Sequence, residues 1–454
     1  MGRDLGLLLP EIVVVLTGVA ALVAGMLRRH AWALPITVAG LLAATVLAAR
    51  LVGSDTTVFA GTYRVDDLSV WAKLVILPAT AATAVLAIPE VRDTDREATV
   101  YSLLSLATVG ALALAGAGDI LLLVLGVLLN SLGSFALVAY PRDDRATEAA
   151  MKYFVFGAVS GAAMIFGLTF WFGAAGSTQF ADLAPLGAAP VAAVAGLVGA
   201  LIGLGYKAAV VPFHFWSPDA YDGGPVVIAA YLSIVPKIGA IFALAAVVRA
   251  LPAMPVDWRL VLALLAVASM TYGNLAALPQ TNVVRLLAYS SIAQVGYFLL
   301  GVVAIGRSEL AVPALIVFAA AYAAMNLGAF AVVLAVGREL ADFAGIGRAR
   351  PWTGIALVVF LLSLVGVPPL AGFAGKLLLF GAALDAGFGW LAVIAILNSV
   401  LSLAVYLRIV VPMYQAPHAP TTAPRAAVAV WITALALTIL IGIGAEVVMR
   451  SIGP

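Results

Sequence analysis

Apolar residues fill this chain in blocks of about 20, each long enough to cross a bilayer as a helix, and short polar stretches separate them. The blocks lie near 5–27, 32–52, 67–89, 98–116, 118–140, 150–172, 190–212, 225–249, 259–278, 286–306, 311–336, 354–384, 389–413 and 426–449. The pattern predicts an all-α, polytopic membrane protein of about 14 transmembrane helices. An even number of spans puts both termini on one side. The loops after odd-numbered spans hold most of the arginines between spans, among them Arg92, Arg96, Arg142, Arg145 and Arg338. The positive-inside rule therefore places those loops in the cytoplasm and both termini outside. Asp4 and Glu11 in the first block fit poorly with a cleaved signal peptide.

Two blocks are broken. Val211-Pro212-Phe213-His214 follows the seventh, and the run from Gly366 through Pro368 and Pro369 to Gly372 interrupts the twelfth. Pro and Gly there free backbone groups that only protein or cavity water can satisfy. Broken helices five spans apart predict two inverted five-helix repeats, each with a broken helix. Residues 98–250 form the first repeat and 251–413 the second. Residues 1–97 precede them with three transmembrane helices, and 414–454 follow with one.

Composition sharpens this picture: 64% of residues are hydrophobic and 10% charged, far from the quarter charged that soluble domains carry. The absence of Cys removes thiolate-ligated iron–sulfur clusters, Cys-attached haem, disulfides and Cys-based zinc sites. A net charge of +2 gives no footing for a nucleic-acid partner, and no P-loop or G-x-G-x-x-G run opens a helix after a strand.

The cations are unevenly used. Of 24 basic residues only five are lysines, and all five lie within or at the edge of apolar blocks: Lys73, Lys152, Lys207, Lys237 and Lys376. A desolvated Lys changes protonation readily whereas Arg does not, so the switchable cations sit in the membrane and the permanent ones at its surface. Each mid-span Lys costs roughly 3 kcal/mol on insertion scales and needs a partner, water or a function. Lys207, Lys237 and Lys376, with His214 and cavity water between them, read as a lateral proton wire. Like charges about 8 Å apart at an effective dielectric of about 20 repel by about 2 kcal/mol, enough for one protonation to disfavour the next. Lys73 and Lys152 lie nearer span ends, where snorkelling or pairing with Asp66, Asp67 or Glu148 competes with transport.

The run GYKAAVVPFHFWSPDAYDGGPVVIAAYLSIVPKIGA resembles the seventh and eighth helices of the antiporter-like subunits of respiratory complex I, which are related to Mrp-type antiporters. EAAMKYFVFGAVSGAAMIFGLTFWFGAAGST, GNLAALPQTNVVRLLAYSSIAQVGYFLLG, SLVGVPPLAGFAGKLLLF and YLRIVVPMY resemble the subunit N branch and extend the likeness from about 98 to 413. The resemblance implies a proton-translocating, non-redox membrane-arm subunit of a NADH–quinone oxidoreductase in a bacterial plasma membrane. Its partners would be the bilayer and other membrane subunits, including a neighbouring antiporter-like one. NADH, flavin, iron–sulfur clusters and quinone would belong to partner subunits, with no cofactor or metal here. It also implies roles: Lys207 and His214 in the first half-channel, Lys237 as the connecting lysine, Lys376 at the exit side, and Glu148 with Lys152 at the start of the sixth span. A subunit of a multi-part cation/proton antiporter or membrane-bound hydrogenase, or a non-pumping scaffold, remains open.

One position departs from the family. Its members carry a glutamate in the fifth helix to pair with the seventh-helix lysine, and here Leu128 stands in that place. Asn130 projects about 200° away around the helix and Asp119 lies too near the span's start, so neither replaces it. The first half-channel is then expected to be retuned, to use a neighbour's acid, or not to pump.

Overall fold

The structure, a computed structural model, describes residues 2–92, 94–254, 256–415 and 423–451. The N-terminal part comprises α1 (Gly2–Leu7), α2 (Leu9–Met26), α3 (Ala33–Ala49), a two-stranded antiparallel ribbon of β1 (Thr56–Val58) and β2 (Tyr63–Val65), α4 (Asp67–Leu86) and the short α5 (Ile88–Val91). Next come α6 (Glu97–Ala115), α7 (Ile120–Ala139), α8 (Asp144–Ala175), α9 (Pro190–Ala208), α10 (Trp216–Gly223) and α11 (Val226–Ala250). The second half repeats this order with α12 (Trp258–Ala277), α13 (Val283–Ala304), α14 (Ala311–Val336), the short α15 (Ile346–Ala349), α16 (Pro351–Val365), α17 (Ala371–Asp385) and α18 (Gly389–Gln415). The last helix is α19 (Arg425–Ser451); residues 416–422 and 452–454 of the expected C-terminal unit lie outside the described residues.

Among the described residues, 13 helices are long and apolar enough to span a membrane, and α16 with α17 makes the broken fourteenth. Helix starts follow local chemistry. Asp66 caps α4 in a reciprocal pair with Ser69, Asp119 accepts from the Leu122 N–H at the head of α7, and Asp143 from the Ala146 N–H at the head of α8. That last cap explains why the sixth helix begins at Asp144 and not near 150: a polar first turn continues the helix beyond the apolar block. The seventh ends at Ala208 because Ala209 adopts a left-handed conformation, φ 61°, which a non-glycine residue holds only against a steric cost of about 1–2 kcal/mol. Gly366 does the same for α16 without a Cβ to pay for it.

α11, α13 and α14 are buried almost all round and form the centre, with the other helices around them. Small residues bring neighbouring helices into backbone contact. A Cβ added to Gly167 on α8 would lie 2.6 Å from the Cα of Gly199 on α9, and one on Gly273 of α12 would lie 2.6 Å from the Ala293 nitrogen on α13. Gly110 of α6 packs on the Asn130 backbone of α7 in the same way.

Lys73 does not snorkel, and its partner is neither Asp66 nor Asp67. It is fully buried on α4 and pairs at 2.8 Å with Glu11 of α2, whose other contact is the Tyr63 hydroxyl at 2.5 Å. Long side chains near a span's end reach whichever charge the neighbouring helix offers, and α2 offers an acid. Asp66 instead pairs with Arg249 and Arg64, whose guanidinium groups and the Ser69 N–H outweigh the effect of burial and hold its carboxyl below the usual range. Removing one member of the buried pair leaves the other uncompensated. Lys73→Met or Glu11→Gln is expected to destabilise the protein by about 3–5 kcal/mol, and Lys73→Met with Glu11→Met to recover most of it, read as thermal unfolding in detergent.

Candidate functional site: a row of buried lysines

Lys207 occupies the last turn of α9, directly before the helix break. Its ammonium donates to Ser131 Oγ of α7 at 3.0 Å and to the Tyr153 hydroxyl of α8 at 3.2 Å. The seat is aromatic: Tyr153 stacks on Trp216 at 4.2 Å, and Trp216 Nε1 donates to the Tyr206 carbonyl at 2.7 Å. Leu128 is 41% exposed on α7, on the outer side of the helix, one turn from Ser131. Asn130 points the other way and donates to the Ala107 carbonyl, and Asp119 serves as a helix cap.

Lys237 lies in the middle of α11 beside Pro236, with its ammonium on Ser291 Oγ of α13 at 2.7 Å and 5.7 Å from the Tyr221 ring centre. Lys376 lies on α17, past the second break, and reaches back to the carbonyls of Leu364 (2.8 Å) and Val365 (3.0 Å) at the end of α16. Those are carbonyls that a helix end leaves unpaired, and the negative end of the helix dipole favours a cation there. Ser399 Oγ at 3.2 Å and the Tyr297 ring at 3.8 Å complete the seat. All three lysines are buried, and among the described residues none of them pairs with an Asp or Glu.

α13 joins the lysines. Ser291 holds Lys237; Ser290 meets the Tyr406 hydroxyl at 2.6 Å; Gln294 Nε2 donates to the Leu364 carbonyl at 3.1 Å, which Lys376 also uses; and Tyr297 accepts from Ser399 at 3.1 Å. A polar stripe thus runs along one apolar helix from one lysine to the next, a costly arrangement inside a membrane. Reasoning from the sequence missed these four residues individually, although Ser290, Ser291, Gln294 and Tyr297 recur at one-turn spacing in the quoted run.

His214 sits buried in the first break, its ring 4.6 Å from Tyr272 and its Nδ1 without a hydrogen-bond partner among the described residues. Glu148 and Lys152 lie elsewhere. They pair at 2.8 Å on the outer face of α8, 68% and 45% exposed, and Lys152 also reaches Asp219 at 3.3 Å. Arg285 holds the other oxygen of Asp219 at 2.8 Å, so Asp219, unremarked in the sequence, ties α8, α10 and α13 together at one end. In the second break, Gly372 packs directly on the Ser363 carbonyl, with its N–H on Ser363 Oγ at 3.0 Å. Any Cβ there forces α16 and α17 apart. Gly372→Ala is expected to displace the Lys376 seat and to lower thermal stability by at least as much as a typical overpacked core position, about 1–3 kcal/mol.

A pair of interrupted helices, each with a buried lysine beside its break, is the arrangement of an antiporter-like membrane subunit. The chain belongs to the NADH:quinone oxidoreductase/Mrp antiporter transmembrane family, which matches residues 117–402. It is 43% identical to NADH-quinone oxidoreductase subunit N 1 of Streptomyces griseus over 100% of this chain and 98% of that one. It superposes on a chain of respiratory complex I from Thermus thermophilus with TM-score 0.86 and 32% identity, covering 97% of this chain and 99% of that one. A chain of the Mrp complex from Dietzia shares the fold at TM-score 0.86 and 22% identity, over 100% and 97% of the two chains.

Proposed function

We propose that this chain is the subunit N of a NADH–quinone oxidoreductase in a bacterial plasma membrane, where it moves protons through lysine-based half-channels. The work comes from quinone reduction in partner subunits, which carry the NADH, flavin, iron–sulfur and quinone chemistry. The chain sits among other membrane-arm subunits, beside another antiporter-like one. The observation that carries this reading is the continuous polar stripe of α13 between Lys237 and Lys376, neither of which has an acid to fix its charge. A lysine seated on neutral dipoles and aromatic faces exchanges its proton at little cost, and like-charge repulsion along the row passes the effect on.

Lys207 loads the first half-channel, Lys237 connects, and Lys376 delivers. His214 bridges the first break, and Glu148 with Lys152 links the row to the neighbouring subunit through their exposed face on α8. The exposed position of Leu128 favours a retuned first half-channel that works without an acid of its own. The lengths 98–250 and 251–413 act as the two half-channels, with 1–97 and 414–454 as flanking helices.

In the assembled complex reconstituted into vesicles, Lys237→Ala and Lys376→Ala are expected to lower the protons translocated per electron pair while the complex still assembles. An unchanged ratio in Lys376→Ala would favour a scaffold, and cation exchange without NADH or quinone would favour an antiporter. Leu128→Glu is expected to change the ratio. If it does not, while Lys207→Ala abolishes this subunit's share, the first half-channel was never impaired.

A further inference from the structure

The face that carries Arg92, Arg96, Arg142, Arg145 and Arg338 opens into a cavity of about 530 Å³. Glu90 of α5 lines it. The carboxylate lies against the first N–H groups of α11, at Val226 and Val227, and beside the Tyr140 hydroxyl. Its Oε2 is shut off from solvent without a hydrogen-bond partner among the described residues. Tyr101 of α6 interacts with Tyr140 at the cavity wall, and buried polar groups follow it inward. Tyr101, Ser105 and Thr108 stand on one face of α6 at positions i, i+4 and i+7, and the Tyr101 hydroxyl is also sealed without a hydrogen-bond partner among the described residues. Thr108 meets the Tyr231 hydroxyl of α11 at 3.2 Å. Beyond it lie buried Ser134 of α7, which donates to the Asn130 backbone carbonyl at 2.7 Å, and Tyr153 of α8, a direct partner of Lys207. Unpartnered buried polar atoms at the mouth of such a file are where ordered water binds.

We propose that Glu90 is the cytoplasmic proton-loading group of this subunit, passing protons through the hydroxyls of Tyr101, Thr108, Tyr231 and Tyr153, with water between Tyr101 and Thr108 and between Tyr231 and Tyr153, to the amine of Lys207. The inference rests on Lys207 acting as a proton carrier, as proposed above. In each transfer a hydroxyl or water takes a proton on a lone pair and releases its own to the next group. The carboxyl ends as carboxylate and reloads from the cavity, and neutral Lys207 ends as ammonium. The route enters from α6, opposite the side of α7 that carries Leu128, so it needs no acid at position 128.

The charges facing Glu90 from neighbouring elements are those of Arg338, Arg96, Arg145, Asp95 and Asp143, with the Tyr140 hydroxyl. Burial outweighs Arg338, the α11 N–H groups and Tyr140, and pushes the carboxyl up to about 7. Below that pH Glu90 is loaded and above it the carboxyl empties, so proton uptake should slow as the pH on this side rises through neutrality.

The test is the proton-to-electron ratio of the reconstituted complex in Glu90→Gln, Glu90→Asp, Tyr101→Phe and Lys207→Met. Glu90→Gln is expected to lose the same share of the ratio as Lys207→Met, Glu90→Asp to keep most of it, and the two losses not to add. Glu90→Gln should also remove the decline of pumping near pH 7 while uncoupled quinone reduction continues. A wild-type ratio in Glu90→Gln, with a lowered one in Lys207→Met, overturns the entry route and leaves Lys207 as carrier. A wild-type ratio in Lys207→Met overturns both. If Glu90→Gln does not assemble, Tyr101→Phe decides: a lowered ratio supports the route and an unchanged one overturns it.

Discussion

Every part of this structure answers to one constraint: inside a bilayer, a cation or a broken backbone must find its partner within the protein. The second break meets that demand by joining the two problems. The carbonyls that α16 leaves unpaired at Leu364 and Val365 are the ones that receive the Lys376 ammonium, so a helix end and a buried charge satisfy each other. The first break solves it differently, with hydroxyls and aromatic faces around Lys207. The two breaks are related in architecture but hold their lysines by different chemistry.

That difference bears on how charge moves. A lysine on carbonyl oxygens sits among groups that only accept. A lysine on hydroxyls sits among groups that donate as well as accept, so its neutral amine also finds partners. Lys237, on a single serine between the two, is the least fixed of the three. The three seats therefore differ in kind along the row, hydroxyls, a single serine and carbonyls in turn.

Much of this was legible in the sequence. The spans, both breaks and the buried positions of Lys207, Lys237 and Lys376 follow from the apolar pattern and the rarity of lysine. Glu11 and Lys73 were visible as charges in apolar blocks, but their pairing was not, because it depends on how α2 lies against α4. The outward face of Leu128 and the exposure of Lys152 were hidden for the same reason: within a uniformly apolar helix, periodicity does not say which side meets the bundle. The α13 stripe escaped because serines and a glutamine do not stand out until their partners on α16, α17 and α18 are in place.

The glycine contacts between α8 and α9, and between α12 and α13, have a mechanical consequence. Helices whose backbones touch at Gly167, Gly199 and Gly273 have no cushion of side chains on which to slide. Both contacts lie within one half of the chain, so a motion that slides helices inside a half would have to tear them open, whereas a tilt of one half against the other would leave them intact. Each half is thus a stiff frame within itself, with its lysine seat fixed to helices that touch backbone to backbone.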